Sequence, residues 1–327
     1  MKQVDLDKPV IFISMGDPAG IGPEIIINSF LKDKNLFNIC TPVVIGSLSI
    51  LSYYCSKKDL LLPVKDIKNL SINNKINVIN IDTDKKIIPG KHDKYCGRLS
   101  IKYLEYATKL VLNNNRTAIV TAPVSKETIM SAGINFSGHT EYIAKLSDVK
   151  SVAMLMVSKY NKVLLVTRHI PLKNVSKVLS IELITQQIEI VCDTLKKYFK
   201  LKTPKIIMCN FNPHQGENGR IGDEEKKIIE PAIIKLNKSG ISAKGPIPTY
   251  KAFISPSDLI VCYYHDQAMI PLKLLYGLKF VNLTCGLPFI RTSPSHGVAY
   301  DIAGKNIADP TSMIDAIKLA SQLITNL

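Results

Sequence analysis

The stretch Val10-Ile11-Phe12-Ile13-Ser14-Met15, followed by Gly16-Asp17-Pro18-Ala19-Gly20-Ile21-Gly22-Pro23-Glu24, reads as an apolar strand that turns directly into a helix. Its three glycines permit tight backbone turns, and a helix N-terminus at this point can face an anion. The spacing is not the GxGxxG order of a dinucleotide fingerprint, and no acidic residue closes the next strand at Gly46. Taken alone, such a stretch is more often a purely structural strand-to-helix turn.

Outward from it, short apolar runs alternate with amphipathic segments, which is the pattern of an α/β protein. Strands are expected at 10–15, 42–45, 76–81, 118–121, 152–157, 163–167, 205–209, 259–262 and 279–283. Helical spacing of apolar residues predicts helices over 99–112, 181–198, 223–236 and 311–324, the third with acidic residues in its first turn. The chain has 327 residues, enough for two domains, and no long linker or repeat separates them.

Composition narrows the class. Hydrophobic residues make up 46% and charged residues 21%, as in a folded globular protein. No apolar run approaches the ~18 residues of a membrane-spanning helix. The start of the chain does not read as a signal peptide, because Asp5 and Asp7 precede the apolar run and Gly16-Asp17-Pro18 ends it early. A cytoplasmic location is the resulting expectation. Seven scattered cysteines without a CxxC pair form neither a disulfide framework nor a thiolate metal site. The formal charge of +15 comes mostly from Lys dispersed among Asn and Ile. With no dense basic block, it reads as a solvated basic surface, one that also draws small anionic substrates, and no nucleic-acid partner is expected.

Three of the six histidines end apolar runs: His169 in Thr-Arg-His-Ile-Pro, His214 in Asn-Pro-His-Gln-Gly-Glu and His265 in Tyr-Tyr-His-Asp-Gln. Imidazole is a common ligand of catalytic transition metals, and open sites use three protein ligands. Their distances along the chain match no compact metal motif, so solvated side chains stay as an alternative. Asp266, beside His265, can serve as an outer contact or as a base. Thr121-Ala122-Pro123-Val124-Ser125-Lys126 is a further strand-end loop with a cation. In Ser137-Gly138-His139-Thr140-Glu141, His139, Thr140 and backbone N–H groups can hold a phosphate or carboxylate, or Ser137 or Thr140 can simply cap a helix. Lys273, Asn282 and Arg291 follow; a Lys with an Arg suits a phosphorylated ligand, whereas either cation taken singly reads as a surface charge. In the late segment from Ser295 to Pro310, Asp301 can accept from ribose hydroxyls, while Gly297 and Gly304 let backbone approach a nucleotide; the segment also reads as an ordinary loop and short helix.

With GDPAGIGPE, TAPVSK, SGHTEY, RHIPL, NPHQGE, YHDQ and NLTCGLPFIRTS in order, the chain resembles the 4-hydroxythreonine-4-phosphate dehydrogenase (PdxA) family over essentially its whole length. HGVAYDIAGKNIADP also looks like the adenosine-binding stretch of isocitrate and isopropylmalate dehydrogenases. The resemblance implies two α/β/α domains around a cleft, isocitrate/isopropylmalate dehydrogenase-like rather than a standard Rossmann domain. The first would take 1–129 plus 285–327, with the nucleotide-binding segment, and the second 130–284, with metal ligands and dimer contacts. It implies a divalent metal (Zn, Co or Mg) on His169, His214 and His265, and substrate contacts from His139, Thr140, Lys273, Asn282 and Arg291. NAD or NADP would lie against His296, Gly297 and Asp301. A homodimer is implied, with the active site at its interface: His169 and His214 would come from one chain and His265 from the other.

The implied chemistry is oxidation of the secondary alcohol of 4-phosphohydroxy-L-threonine and decarboxylation to 3-amino-2-oxopropyl phosphate, in pyridoxal phosphate biosynthesis, with Asp266 and Lys273 as candidate catalytic groups. Three positions depart from the family pattern: Tyr250 and Ser295 where acidic residues are usual, and Ala268 where glycine is usual. Rival readings are a dehydrogenase of phosphorylated threonate or erythronate and a phosphate acyltransferase.

Overall fold

The structure, a computed structural model, describes residues 8–327, so Asp5 and Asp7 lie outside the described residues. The first half of the chain alternates β1 (Val10–Ser14), α1 (Gly22–Lys32), α2 (Leu36–Ile39), β2 (Thr41–Gly46), α3 (Leu48–Tyr54), β3 (Leu61–Val64) and β4 (Ile76–Asn80). Then come α4 (Lys94–Leu112), β5 (Thr117–Thr121), α5 (Lys126–Ser131) and α6 (His139–Leu146). The second half begins with β6 (Ala153–Ser158), β7 (Lys162–Leu165), α7 (Val175–Val178), α8 (Ile181–Phe199) and β8 (Ile206–Cys209). It continues through α9 (Glu230–Lys238), β9 (Ala243–Ile247), α10 (Thr249–Ile254), β10 (Leu259–Cys262), α11 (His265–Tyr276) and β11 (Phe280–Cys285). The chain closes with β12 (Ile290–Pro294) and α12 (Thr311–Thr325).

Two compact units result: residues 8–150 with Leu287–Thr325, and Ser151–Gly286. The segment 130–150, expected in the second domain, is counted in the first unit, where α6 packs on α4.

In the first unit the strand order is β3-β4-β2-β1-β5-β12, parallel throughout. β1 is buried along its whole length between β2 and β5, which is why its sequence is continuously apolar rather than alternating. The chain leaves β1 toward β2 on one side and returns as β5 on the other. The loops after β1 and β5, whose ends pair Ser14 with Thr121, therefore diverge at a topological switch point.

In the second unit the order is β11-β6-β7-β10-β8-β9. β6 runs antiparallel to both β11 and β7, and β7, β10, β8 and β9 are parallel. That topology places the C-terminal ends of β7, β10 and β8 side by side, and these are the strands that His169, His265 and His214 follow.

Three strands escaped the periodicity. β3 and β9 are edge strands, each with a proline and mostly exposed or half-buried side chains. β12 is wholly buried but reads Ile-Arg-Thr-Ser-Pro, which is not an apolar run. The helix expected over 223–236 divides into a wide π-type turn, Glu225–Ile229, and α9, where Pro231 lacks an N–H to donate. Among the described residues no helix is long and apolar enough to cross a membrane.

Candidate active site

At the switch point of the first unit, Gly16 takes φ 74°, and a Cβ there would run into the Pro123 carbonyl. Asp17 N–H donates to Pro123 O (2.9 Å), Gly20 N–H to Asp17 O (3.1 Å) and Ile21 N–H to Val298 O (3.0 Å). These donors are spent inside the fold, so this part of the turn is structural rather than an anion cradle.

The anion-competent group lies one strand further on. Arg291, on β12, is 1% exposed, and its Nε and Nη2 donate to Thr121 Oγ1 at 3.2 and 2.6 Å. Its Nη1 reaches Thr140 Oγ1 at 3.5 Å. Burial pulls the guanidinium down to about 10, partly offset by Glu141, so it remains a cation at neutral pH. His139 opens α6 directly after Gly138, and no side chain caps that helix, so neither Ser137 nor Thr140 takes the capping role. Burial, then Arg291 and Lys126, hold the His139 imidazole well below the usual histidine range. Its Nε2 is buried with no hydrogen-bond partner among the described residues. A neutral imidazole with a spare ring nitrogen beside a buried cation suits an oxyanion ligand.

In the late segment, His296 Nδ1 contacts Gly297 O at 3.1 Å, and its Nε2 is buried without a partner among the described residues. Gly297 is exposed, and nothing stands within 4 Å of where a Cβ would be. Asp301 is exposed as well. The segment is tied to the body of the unit by Ala308 N–H donating to the buried Glu24 (2.9 Å) and by Tyr300 donating to Asp17 (2.7 Å). These features fit a nucleotide that approaches backbone closely and finds an imidazole.

In the second unit His169 and His214 are exposed and His265 is half-exposed. The rings of His169 and His265 lie 5.8 Å apart, centroid to centroid. Two imidazoles binding one zinc-sized ion at about 2.1 Å would place their centroids about 5–6 Å apart, so this pair fits. His265 Nδ1 stands 2.8 Å from Asp266 Oδ1, and with the proton on Nδ1 the Nε2 lone pair stays available to a metal. Among the described residues no three His, Cys, Asp or Glu side chains converge on one ion. The pair gathered within one chain is therefore His169 with His265, whereas the resemblance implies His169 with His214. Asn282, on β11, has Oδ1 buried and without a partner among the described residues, and Lys273 lies exposed along α11.

Of the departing positions, Tyr250 is exposed, Ala268 is fully buried, and Ser295 N–H bonds Ser312 Oγ at 3.0 Å. Among the supporting residues, Thr121 and Tyr300 stand in stretches that the sequence singles out, but neither received a role of its own there. Glu225, in Asp223-Glu224-Glu225-Lys226-Lys227, looks like a solvated first turn but is 1% exposed. No sequence signal distinguishes it.

Residues 38–320 match the family model of the pyridoxal phosphate biosynthetic protein PdxA. A 4-hydroxythreonine-4-phosphate dehydrogenase from Sulfurihydrogenibium is 42% identical, with 94% of this chain and 96% of that protein covered. A protein from Oceanobacillus iheyensis, named a putative D-threonate 4-phosphate dehydrogenase, is 38% identical, with 97% and 98% covered. The crystal structure of 4-hydroxythreonine-4-phosphate dehydrogenase from Klebsiella pneumoniae superposes with a TM-score of 0.87 at 35% identity, covering 98% of this chain and 99% of that one. Sequence and fold agree over nearly the full length of the relatives compared: the chain belongs to the PdxA family of dehydrogenases of pyridoxal phosphate biosynthesis.

Proposed function

We propose that this chain oxidises the secondary alcohol of 4-phosphohydroxy-L-threonine with NAD or NADP and releases carbon dioxide, giving 3-amino-2-oxopropyl phosphate. The observation that carries the proposal is the buried Arg291 cation with the buried His139 Nε2, which has no partner among the described residues, beside it, a place for the substrate phosphate. Arg291, His139 and Thr140 would hold that phosphate, with Lys273 and Asn282 as further substrate contacts. Fixing the phosphate orients the reacting carbon. His296, Gly297 and Asp301 would receive the adenosine side of the cofactor, which accepts the hydride. His169, His214 and His265 would hold a divalent ion, which would supply Lewis-acid polarisation of the reacting oxygen. The alcohol loses a hydride and a proton. The resulting ketone lies β to the carboxylate, so the electrons of the breaking C–C bond pass into the enol system, which then takes a proton. Asp266 orients His265, and Lys273 is a candidate proton donor or acceptor.

The ligand trio draws on both chains of a homodimer in this proposal. Its support is the apolar face of α10 and α11: Ile254, Ile270 and Leu274 are 76%, 58% and 81% exposed, on the helix that begins with His265 and on its neighbour.

The test is NADH or NADPH formation from 4-phosphohydroxy-L-threonine, before and after metal stripping. Turnover that survives stripping removes the ion from the proposal. A second reading, oxidation of D-threonate 4-phosphate, is favoured by the relative of that name at 38% identity. Comparing kcat/KM for the two compounds decides between them.

A further inference from the structure

We infer that Glu225 is the positioning residue of the turn that carries His214, and that Asn212, Asn210 and Gln267 extend its hold to the start of the helix that carries His265. The inference rests on the reading of both histidines as ion ligands.

His214, Gln215, Gly216, Glu217 and Asn218 take φ values of 51°, 58°, 76°, 41° and 61° in succession. Four of these five are not glycine. L-residues visit the left-handed region singly, because Cβ crowds the following carbonyl, and a run of them needs restraint from outside. Such strain gathers where a side chain must be aimed, and here the first residue of the run is His214.

Glu225 supplies the restraint. It is 1% exposed, and its Oε1 accepts from the backbone N–H of Phe211 (2.9 Å) and of Asn212 (2.6 Å). Its Oε2 accepts from Asn212 Nδ2 at 2.8 Å and would lie 3.1 Å from a Cβ placed on Gly216. A buried carboxylate ordinarily sits opposite a cation. The hydrogen bonds of Glu225 instead run to the strand-end residues immediately before the turn. Asn212 Nδ2 also donates to Glu224 Oε2 (2.7 Å), and Ile221 N–H donates to Gly216 O (3.1 Å), closing the turn from its far side. A side chain on Gly222 would strike Asn212, so the returning strand of the loop is pressed against the same amide.

The network continues to the other histidine. Asn210 Nδ2 donates to Asn212 O (2.7 Å), and Gln267 Nε2 donates to Asn210 O (2.6 Å). Gln267 Oε1 accepts from Tyr263 N–H at 2.8 Å, two residues before the start of α11. The loops after β8 and β10 are thus held in one frame by side-chain amides and one carboxylate.

Glu225→Gln tests this, because the amide puts an NH₂ against a donor that now meets an oxygen. In the metal-free protein, hydrogen–deuterium exchange over 210–221 should rise at least about ten-fold, with exchange in α8 and α12 unchanged. Co²⁺ affinity, read by optical titration, should fall about 10–100-fold. Adding Gln215→Gly to E225Q should restore part of that affinity, since glycine accepts left-handed backbone freely, and a merely structural carboxylate would give no such rescue. A folded E225Q with the parent's exchange and affinity overturns the inference, as does a double variant without recovery. Should E225Q not fold, Asn212→Ala removes the Oε2 contact and is read by the same exchange and titration. If the parent protein takes up no Co²⁺, the ligand reading fails, while the exchange still decides whether Glu225 holds the turn.

Discussion

The Tyr300 hydroxyl donates to the buried carboxylate of Asp17 at 2.7 Å, joining the first strand-to-helix turn to the late glycine-bearing segment. Burial raises the Asp17 carboxyl above its usual range, and Tyr300, the Ala19 N–H and Thr128 pull it part of the way back. The His92 ring stacks on Tyr300 at 4.7 Å, covering the same junction. The first strand-to-helix turn is thus a foundation for the segment proposed to receive the nucleotide.

Tyr300→Phe removes one of the bonds that Asp17 accepts while keeping the ring. Unfolding titrations should report a loss of about 1–3 kcal/mol. The KM for NAD should rise several-fold with kcat nearly unchanged. A variant with lower kcat and an unaltered KM would count against the nucleotide assignment of this segment.

Arg291→Lys keeps the charge and loses the fork that spans Thr121 and Thr140. A charge-assisted bond lost at this site should cost about 2 kcal/mol, roughly thirty-fold in kcat/KM for the phosphorylated substrate. The slow background reaction of 4-hydroxythreonine, which lacks the phosphate, should be affected far less. An equal loss with both compounds would place Arg291 outside the phosphate site.

Acid should destabilise the protein through His139. Its folded-state pKa is depressed, first by burial and then by Arg291 and Lys126, so below the ordinary histidine value the unfolded chain binds a proton that the folded chain does not. The stability is present above about pH 6.5 and declines as pH falls below it. His296, lowered chiefly by burial, adds to the same trend. Thermal midpoints measured from about pH 7.5 to about pH 5.5 should fall, and His139→Asn should flatten the slope. Identical slopes in parent and variant would take His139 out of the account.

Asp266→Asn weakens the hold on the His265 ring. Metal affinity should drop about 10–100-fold with the fold intact, measured by chelator competition. Unchanged affinity would mean that the 2.8 Å contact does not orient a ligand.

Leu274→Glu places a charge on the exposed apolar face of α11. Sedimentation should report monomers, and turnover should be lost at the protein concentrations where the dimer is lost. A persisting dimer would move the interface to another face.

Periodicity was enough for the buried parallel strands, because a strand covered on both faces must be apolar throughout, as in β1 and β10. It was not enough for β12, whose Arg291 is buried beside Thr121, a pairing that exists only once β12 lies next to β5. It also gave the histidines, as residues at strand ends, without their company. His169 and His265 meet because β10 pairs with β7.

What the sequence alone determined is therefore the α/β class, the strand-end placement of the reactive side chains and, through its ordered motifs, the family. The tertiary structure alone decided which of those side chains are buried, which buried atoms have no partner among the described residues, and that Glu225 is interior. Spacing along a chain records local periodicity, whereas burial and hydrogen-bond partnership depend on which strands become neighbours.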